Sequence, residues 1–235
     1  VLPANPTHLL MTVLAITEAI APAEPRQADG RPAWWTETID LDRLTAAITV
    51  AGELVSLLPV WCLDADPIRV LDAVATPGGP VHVPLVYGYA PYSRPTAGRR
   101  TVHFRDAPGA AEATAGTVLG GVGFAASARR GDPSEALEVV RRLAGGRLQC
   151  GLIPDSGGQP AHRAAAADPR IDADYAHFYT RTQQTMQHSF LRPRTPGYPS
   201  FQRAAADALH ASIVAGRPAA HSARIVRDEW EARAS

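Results

Sequence analysis

Apolar residues recur at every third or fourth position in several stretches of the chain, which is the spacing of one face of an α-helix. A helix is predicted to begin at Asn5-Pro6, because asparagine caps free N–H groups and proline suits the first helical turn. A second helix is predicted after Asp40 and a short third one after Asp66-Pro67. Further helices are predicted over residues 174–190, 200–215 and 222–232.

Shorter apolar stretches predict strands. Val81–Tyr89 alternates well enough for a strand, and Pro84 favours an edge position or a bulge there. A short strand is also possible over Thr101–Phe104, and Val118–Ser127 forms a third apolar stretch that breaks at Gly131. A helix with one apolar face is predicted to follow, with Asp132 as its cap and with Leu137, Val140 and Leu143 among its apolar positions. The order of these elements predicts an α/β protein.

The composition narrows the functional classes. The 235 residues carry 23 basic and 23 acidic side chains, so no net field recruits nucleic acid or an anionic membrane. All the basic residues are arginines, which removes lysine-based Schiff-base and P-loop chemistry. Cys62 and Cys150 stand alone, and the sequence leaves open whether they are buried thiols or one disulfide.

Motifs for catalysis are missing from the sequence. No G-x-S-x-G or H-E-x-x-H pattern is present, and the eight histidines are scattered, so neither a metal nor a cofactor is predicted. The least implausible acid–base pair is His162 with Asp155, which keeps an α/β enzyme as an alternative. An interaction domain that uses the Trp34-Trp35 loop is a third possibility.

Aromatic residues gather at the ends of predicted elements, where a cleft would lie. Flat aromatic side chains can bury the apolar faces of a sugar while polar side chains bind its hydroxyls. The same residues can equally anchor the edge of the core, and we expect this second role for Trp35 and Phe201. The aromatic residues concerned are Trp34, Trp35, Tyr87, Tyr89, Tyr92, Tyr198 and Phe201.

Four runs of sequence together resemble extracellular solute-binding proteins of family 1, the sugar-type ABC transporter components. VLPANPTHLL at the N-terminus resembles the entry into their second lobe, and VPLVYGYA from Val83 resembles a strand that precedes an aromatic ligand contact. RPRTPGYPSF from Arg192 resembles a late loop and helix, and GGQPAHR from Gly157 resembles a return crossing between lobes. The ligand-binding residues that the resemblance implies are Asn5, Thr7, His8, Tyr87, Tyr89, Tyr92, Gln159, His162, Arg163 and Tyr198, to which the aromatic pattern adds Trp34.

The resemblance implies a periplasmic-binding-protein-like fold of type II, with two lobes, hinge crossings and an incomplete first lobe. Residues 1–116 would begin the second lobe, residues 117–156 would complete the first, and residues 157–235 would return to the second. The implied function is capture of an extracellular solute, a sugar, by a monomer that delivers it to an ABC permease. The full-length protein would be periplasmic or membrane-anchored, and this chain would lack its N-terminal segment.

Overall fold

The computed structural model describes residues 1–20, 32, 35, 39–109, 116–127, 129 and 131–233. The α-helices in these residues are α1 (Pro6–Ala19), α2 (Leu41–Ser56), α3 (Pro67–Ala75), α4 (Ser134–Ala144), α5 (Gly146–Gln149), α6 (Leu152–Asp155), α7 (Arg163–Ala166), α8 (Pro169–Asp174), α9 (Phe178–Arg181), α10 (Gln183–His188), α11 (Tyr198–Val214) and α12 (Ala219–Arg233). Short 3₁₀ helices occupy Val60–Asp64 and Ala90–Ser93.

The chain divides into two compact units. The larger unit contains Val1–Tyr87, Asp106–Leu119 and Gln183–Ser235, and the smaller unit contains Gly88–Arg105 and Gly120–Thr182. This grouping differs from the boundaries expected at residues 116 and 156, since residues 157–182 now belong with residues 120–156. The assignment of chain segments to the lobes of a binding protein stays a prediction.

Side-chain caps fix the starts of the first three helices at the predicted places. Asn5, Asp40 and Asp66 each accept a hydrogen bond from the backbone N–H three residues later, at 3.0, 3.0 and 2.8 Å. Such caps satisfy N–H groups that have no partner within the helix. Asp132 likewise accepts from the backbone N–H of Ser134 at 3.0 Å, where α4 begins.

The core of the larger unit lies among α1, α2, α11 and α12, which pack against one another. Its centre is aromatic, as expected for Trp35 and Phe201, both of which are fully buried. The Trp35 ring lies 5.9 Å from the Phe201 ring and 5.2 Å from the Trp230 ring, each in an edge-to-face arrangement. Edge-to-face pairs add specific attraction to the large apolar area that these side chains bury.

The three predicted strands are not formed in the described residues. The β-pairing described there consists of isolated bridges, antiparallel between Trp35 and Ile39 and parallel between Val118 and Phe190. Residues 81–89 and 101–104 contain no strand ladder. The strand prediction is therefore wrong for these stretches. Alternation of apolar and polar residues makes a segment suitable for a sheet, but a ladder of backbone hydrogen bonds also needs a partner strand. In addition, Pro84 has no N–H group to donate to such a ladder.

The helix predicted over residues 174–190 is interrupted. Ala176 and His177 both adopt left-handed backbone conformations, with φ of 49° and 63°. A side chain with a β-carbon is disfavoured in this region, and two such residues in succession end a right-handed helix. As a result α8 ends at Asp174, and the short helices α9 and α10, which are separated at Thr182, replace the rest of the predicted helix.

The apolar residues of α4 do not form a buried face. No residue of this helix is buried, and Leu137 and Val139 retain 37% and 56% of their accessible surface. Ion pairs on the helix surface join Glu138 to Arg142 at 2.9 Å and to Arg141 at 4.0 Å. The helix therefore begins where predicted and contacts α5, with Val140 and Leu143 partly buried and Leu137 and Val139 left exposed.

Candidate functional site

The N-terminus of α1 brings together the first group of predicted ligand residues. The side-chain oxygen of Asn5 accepts from the backbone N–H of His8 at 3.0 Å and also lies 2.9 Å from the Nδ1 atom of His8. Asn5 is therefore a helix cap, as expected whether or not it binds a ligand. Its amide NH2 group makes no hydrogen bond to another described residue. Thr7, on the same turn, is exposed.

His8 presents one ring nitrogen away from this cap. Because the Asn5 oxygen is an acceptor, Nδ1 of His8 donates to it, which leaves Nε2 as an acceptor in the neutral ring. Partial burial lowers the pKa of His8 below its ordinary value, and the carboxylate of Asp66 opposes this shift. His8 is therefore neutral at pH 7, with an acceptor suited to a hydroxyl group.

Tyr87 lies against the same turn of α1. Its ring is 6.1 Å from the His8 ring in an edge-to-face arrangement at 79°, and the side chain is half-buried against the core. A partly accessible aromatic ring beside polar groups can bind amphipathic molecules such as sugars. Asn5, His8 and Tyr87 therefore form one local cluster, as the resemblance implies.

Tyr198 lies deeper than a surface stacking residue would. It is 6% exposed, and its ring packs 6.0 Å from Trp35 and 5.6 Å from Phe201. Its hydroxyl is buried and has no hydrogen-bond partner of ordinary geometry among the described residues. Burial raises the pKa of Tyr198, the charge of Arg192 lowers it and Tyr87 raises it further, and a contact with Arg192 outside ordinary hydrogen-bond geometry also lowers it, so Arg192 and Tyr87 lie near the hydroxyl.

Arg192 is a functional candidate that the sequence did not single out. Its Nη1 atom donates to Oε1 of Gln202 at 2.7 Å and to Sδ of Met11 at 3.9 Å. A half-buried guanidinium held in this way has a fixed orientation and several further donors. Arg192 and Met11 are 181 positions apart, so no local pattern could have revealed the contact.

In the smaller unit, the side chain of Gln159 forms hydrogen bonds with the backbone on both sides of Tyr89. Its Oε1 atom accepts from the N–H of Ala90 at 2.9 Å, and its Nε2 atom donates to the carbonyl of Gly88 at 3.1 Å. Both ends of the amide are thus engaged, which indicates a structural role. Tyr89 itself is half-buried.

Tyr92 has an arginine over its ring. The guanidinium carbon of Arg99 lies 4.9 Å from the centre of that ring, a distance at which a cation and an aromatic face attract each other. The tyrosine is half-buried in the smaller unit. Its ring face is therefore already in contact with a side chain of its own unit.

His162 and Arg163 lie at the start of α7 and are exposed. Nδ1 of His162 accepts from the N–H of Ala164 at 3.1 Å, so this ring caps the helix. Asp155, its proposed acid–base partner, pairs instead with Arg170 at 3.4 Å. Each member of the alternative catalytic pair thus has a structural contact of its own.

Trp34 and the two cysteines are the remaining residues that the sequence analysis discussed. Trp34 lies outside the described residues. Cys62 and Cys150 are free thiols. The described residues contain no group of three or more potential metal ligands, and none of their helices has the length and apolar character needed to cross a bilayer.

Comparison with known proteins places the fold among the periplasmic binding proteins, which confirms the predicted fold class. The solved structure in question is maltose-bound MalE3 of T. maritima, with a TM-score of 0.75 and 14% sequence identity over 97% of this chain. The chain spans 59% of the length of that structure. No protein-family model and no curated protein matches the sequence. At this identity the likeness establishes the fold.

Proposed function

We propose that this chain contributes a carbohydrate-binding surface to the solute-binding component of an ABC importer. The observation that carries the proposal is the cluster at the start of α1, which contains neutral His8, the ring of Tyr87 and the Asn5 amide group, whose nitrogen has no partner among the described residues. These groups offer an acceptor, a donor and an apolar surface, which are the three things that a sugar ring needs. No bond is made or broken, so the chain would act by binding and not by catalysis.

The fold likeness supports the same proposal, since the MalE3 structure contains bound maltose. The proposed site also includes the buried hydroxyl of Tyr198, which lacks a partner among the described residues, and the ordered guanidinium of Arg192. A buried hydroxyl without a partner is costly, and a ligand hydroxyl would relieve that cost if the side chains that cover Tyr198 moved to admit it. Thr7 in the larger unit and Tyr89, Tyr92, His162 and Arg163 in the smaller unit remain proposed ligand residues, and delivery to a membrane permease is the proposed outcome.

Saturation-transfer NMR with a saccharide panel that includes maltose tests the proposal, because the method detects weak complexes. The informative variant is Asn5→Ser, since serine is an equally good helix cap but has no amide group. We expect this variant to keep its helix content and to weaken binding by about 1–2 kcal/mol, the value of one or two hydrogen bonds.

The matched control is Asp40→Ser at the start of α2, which makes the same kind of change at a cap outside the proposed site. It should leave saccharide affinity unchanged. The absence of saturation transfer from every saccharide to the folded wild-type chain would refute the proposal. Conversion of a saccharide during the measurement would favour the enzyme alternative instead.

A further inference from the structure

The guanidinium of Arg192 carries a charge that no carboxylate balances in the described part of the chain. The side chain is half-buried, and its hydrogen bonds go to the neutral side chains of Gln202 and Met11. The helices that supply these partners carry one acidic residue each, Glu18 on α1 and Asp207 on α11, and neither forms an ion pair with Arg192. Because removing a charge from water is costly unless an opposite charge is supplied, this arginine favours the binding of an anion.

One edge of this guanidinium has no partner among the described residues. Both hydrogen bonds come from Nη1, with Oε1 of Gln202 at 2.7 Å and Sδ of Met11 at 3.9 Å. Nη1 has two hydrogens and both are used, whereas Nε and Nη2 make no hydrogen bond to another described residue. The Tyr198 hydroxyl lies near the guanidinium but forms no ordinary hydrogen bond with it. The N–H groups of Nε and Nη2 point in the same direction and match the two oxygens of a carboxylate.

We propose that the solute is an acidic saccharide, such as a uronic acid, whose carboxylate binds the Nε and Nη2 edge of Arg192. This inference rests on the proposed function, because it names the class of saccharide that the same site takes. A phosphate group can also bind an arginine, but a phosphate monoester carries up to about two negative charges at pH 7. One arginine balances the single charge of a carboxylate, so the carboxylate fits the charge of this site.

The other residues of the candidate site would bind the hydroxyl groups of the same sugar. Met11 follows His8 by three residues, so the two side chains share one face of α1 and are about 4.5 Å apart along the helix axis. Arg192 contacts Met11, whereas the ring of Tyr87 contacts that of His8, and all four residues belong to the larger unit. The acid group would therefore bind at the Met11 end and the hydroxyl groups at the His8 end. The carboxylate of Asp66 acts on His8 and would repel an acid group there, which favours the same orientation.

Two matched pairs of ligands test the proposal in calorimetric or NMR titrations of the chain. Glucuronate with glucuronamide and galacturonate with galacturonamide each keep the shape of the sugar and differ in its charge. In at least one pair, we expect the acid to bind the wild-type chain about tenfold more tightly than the amide at pH 7, as a charge-assisted contact would give. Arg192→Gln should abolish this preference. Arg194→Gln is the matched control, because it removes the same charge from an exposed side chain two positions away and should preserve the preference.

Gln202→Glu is a second variant, which keeps Arg192 in place. It puts a carboxylate where the Gln202 amide now accepts from Nη1, so the arginine gains a counter-charge within the chain. We expect this variant to weaken binding of the acid by about tenfold and to leave the affinity for the amide unchanged, a combination that misfolding would not produce.

The outcomes separate this inference from the proposed function. Equal affinities of acid and amide for the wild-type chain would overturn the assignment of an acidic saccharide and leave saccharide binding intact. A preference that survives Arg192→Gln, or tighter binding of glucose 6-phosphate than of either acid, would overturn the assignment of a carboxylate to Arg192. Failure of every saccharide to bind would refute the proposed function itself, and this inference with it.

Discussion

The buried hydroxyl of Tyr198 makes an unusual prediction: its removal should stabilise the protein. The hydroxyl has no ordinary hydrogen-bond partner among the described residues, and such a group costs about 1–3 kcal/mol when buried. The ring itself packs against Trp35 and Phe201, and phenylalanine keeps both contacts. Tyr198→Phe should therefore raise the free energy of unfolding of the ligand-free chain by about 1 kcal/mol, near the lower end of that range.

Tyr175→Phe is the matched control with the opposite sign. The Tyr175 hydroxyl donates to the carbonyl of Gly158 at 2.5 Å, while Arg94 lies 5.2 Å from the centre of its ring. Phenylalanine keeps the ring contact and loses only the hydrogen bond. We therefore expect Tyr175→Phe to lower the free energy of unfolding by about 1 kcal/mol.

Urea unfolding measures the first effect selectively. Trp35, Trp61 and Trp230 belong to the larger unit, so their fluorescence follows the unfolding of that unit. With a slope of about 2 kcal/mol per molar urea, Tyr198→Phe should move the midpoint up by about 0.5 M. Hydrogen exchange in the smaller unit reports on Tyr175→Phe. A lower urea midpoint for Tyr198→Phe would show that the Tyr198 hydroxyl has a hydrogen-bond partner in the wild-type chain. This result would contradict the prediction.

Two further predictions address the core and the site. Phe201→Ala removes a fully buried ring and should destabilise the larger unit by about 3–5 kcal/mol in urea unfolding, whereas Phe124→Ala, at a side chain that is half exposed, should change stability by less than about 1 kcal/mol. NMR titration should give His8 a pKa below 6.5, and Asp66→Asn should lower that pKa further, because it removes the charge that raises it and keeps an oxygen to cap α3. Since the unfolded chain binds a proton at His8 more readily than the folded chain does, stability should fall as the pH drops from about 6.5 toward the lowered pKa. A pKa for His8 above 6.5 would contradict the burial argument.

Features set by neighbouring residues were predictable from the sequence. The starts of α1, α2 and α3 follow from Asn5, Asp40 and Asp66, whose side chains each act on a backbone group three residues away. The periodic apolar positions likewise predicted which face of α2 enters the core, whereas α1 is buried on every side from Leu9 to Glu18. Asn5 and His8 lie within a single helical turn, so the contact between them could also be predicted from the sequence.

Features that depend on distant residues were not predictable in the same way. The segment from Gly120 to Ser127 has the composition of a strand, yet composition does not specify a pairing partner. The depth of Tyr198 depends on Trp35 and Trp230 lying together around Phe201, a contact among three separate parts of the chain. The sequence analysis predicted Tyr198 to line a cleft because it lies at the end of a predicted element and in a run that resembles the family, whereas the fold turns its ring inward.

The cap at Asn5 links the stability of α1 to the chemistry of the candidate site. One oxygen of this side chain accepts from both the backbone and the ring of His8, so the bond that starts the helix also fixes the ring and its tautomer. A substitution that removes both the oxygen and any other acceptor would therefore disturb the helix and the site together, whereas serine removes the amide and keeps a hydroxyl that can cap the helix. The amide nitrogen is the atom that separates the two roles, because it makes no hydrogen bond to another described residue. A ligand that requires Asn5 would then be recognised through this nitrogen, while the geometry of the surrounding turn stays as the helix sets it.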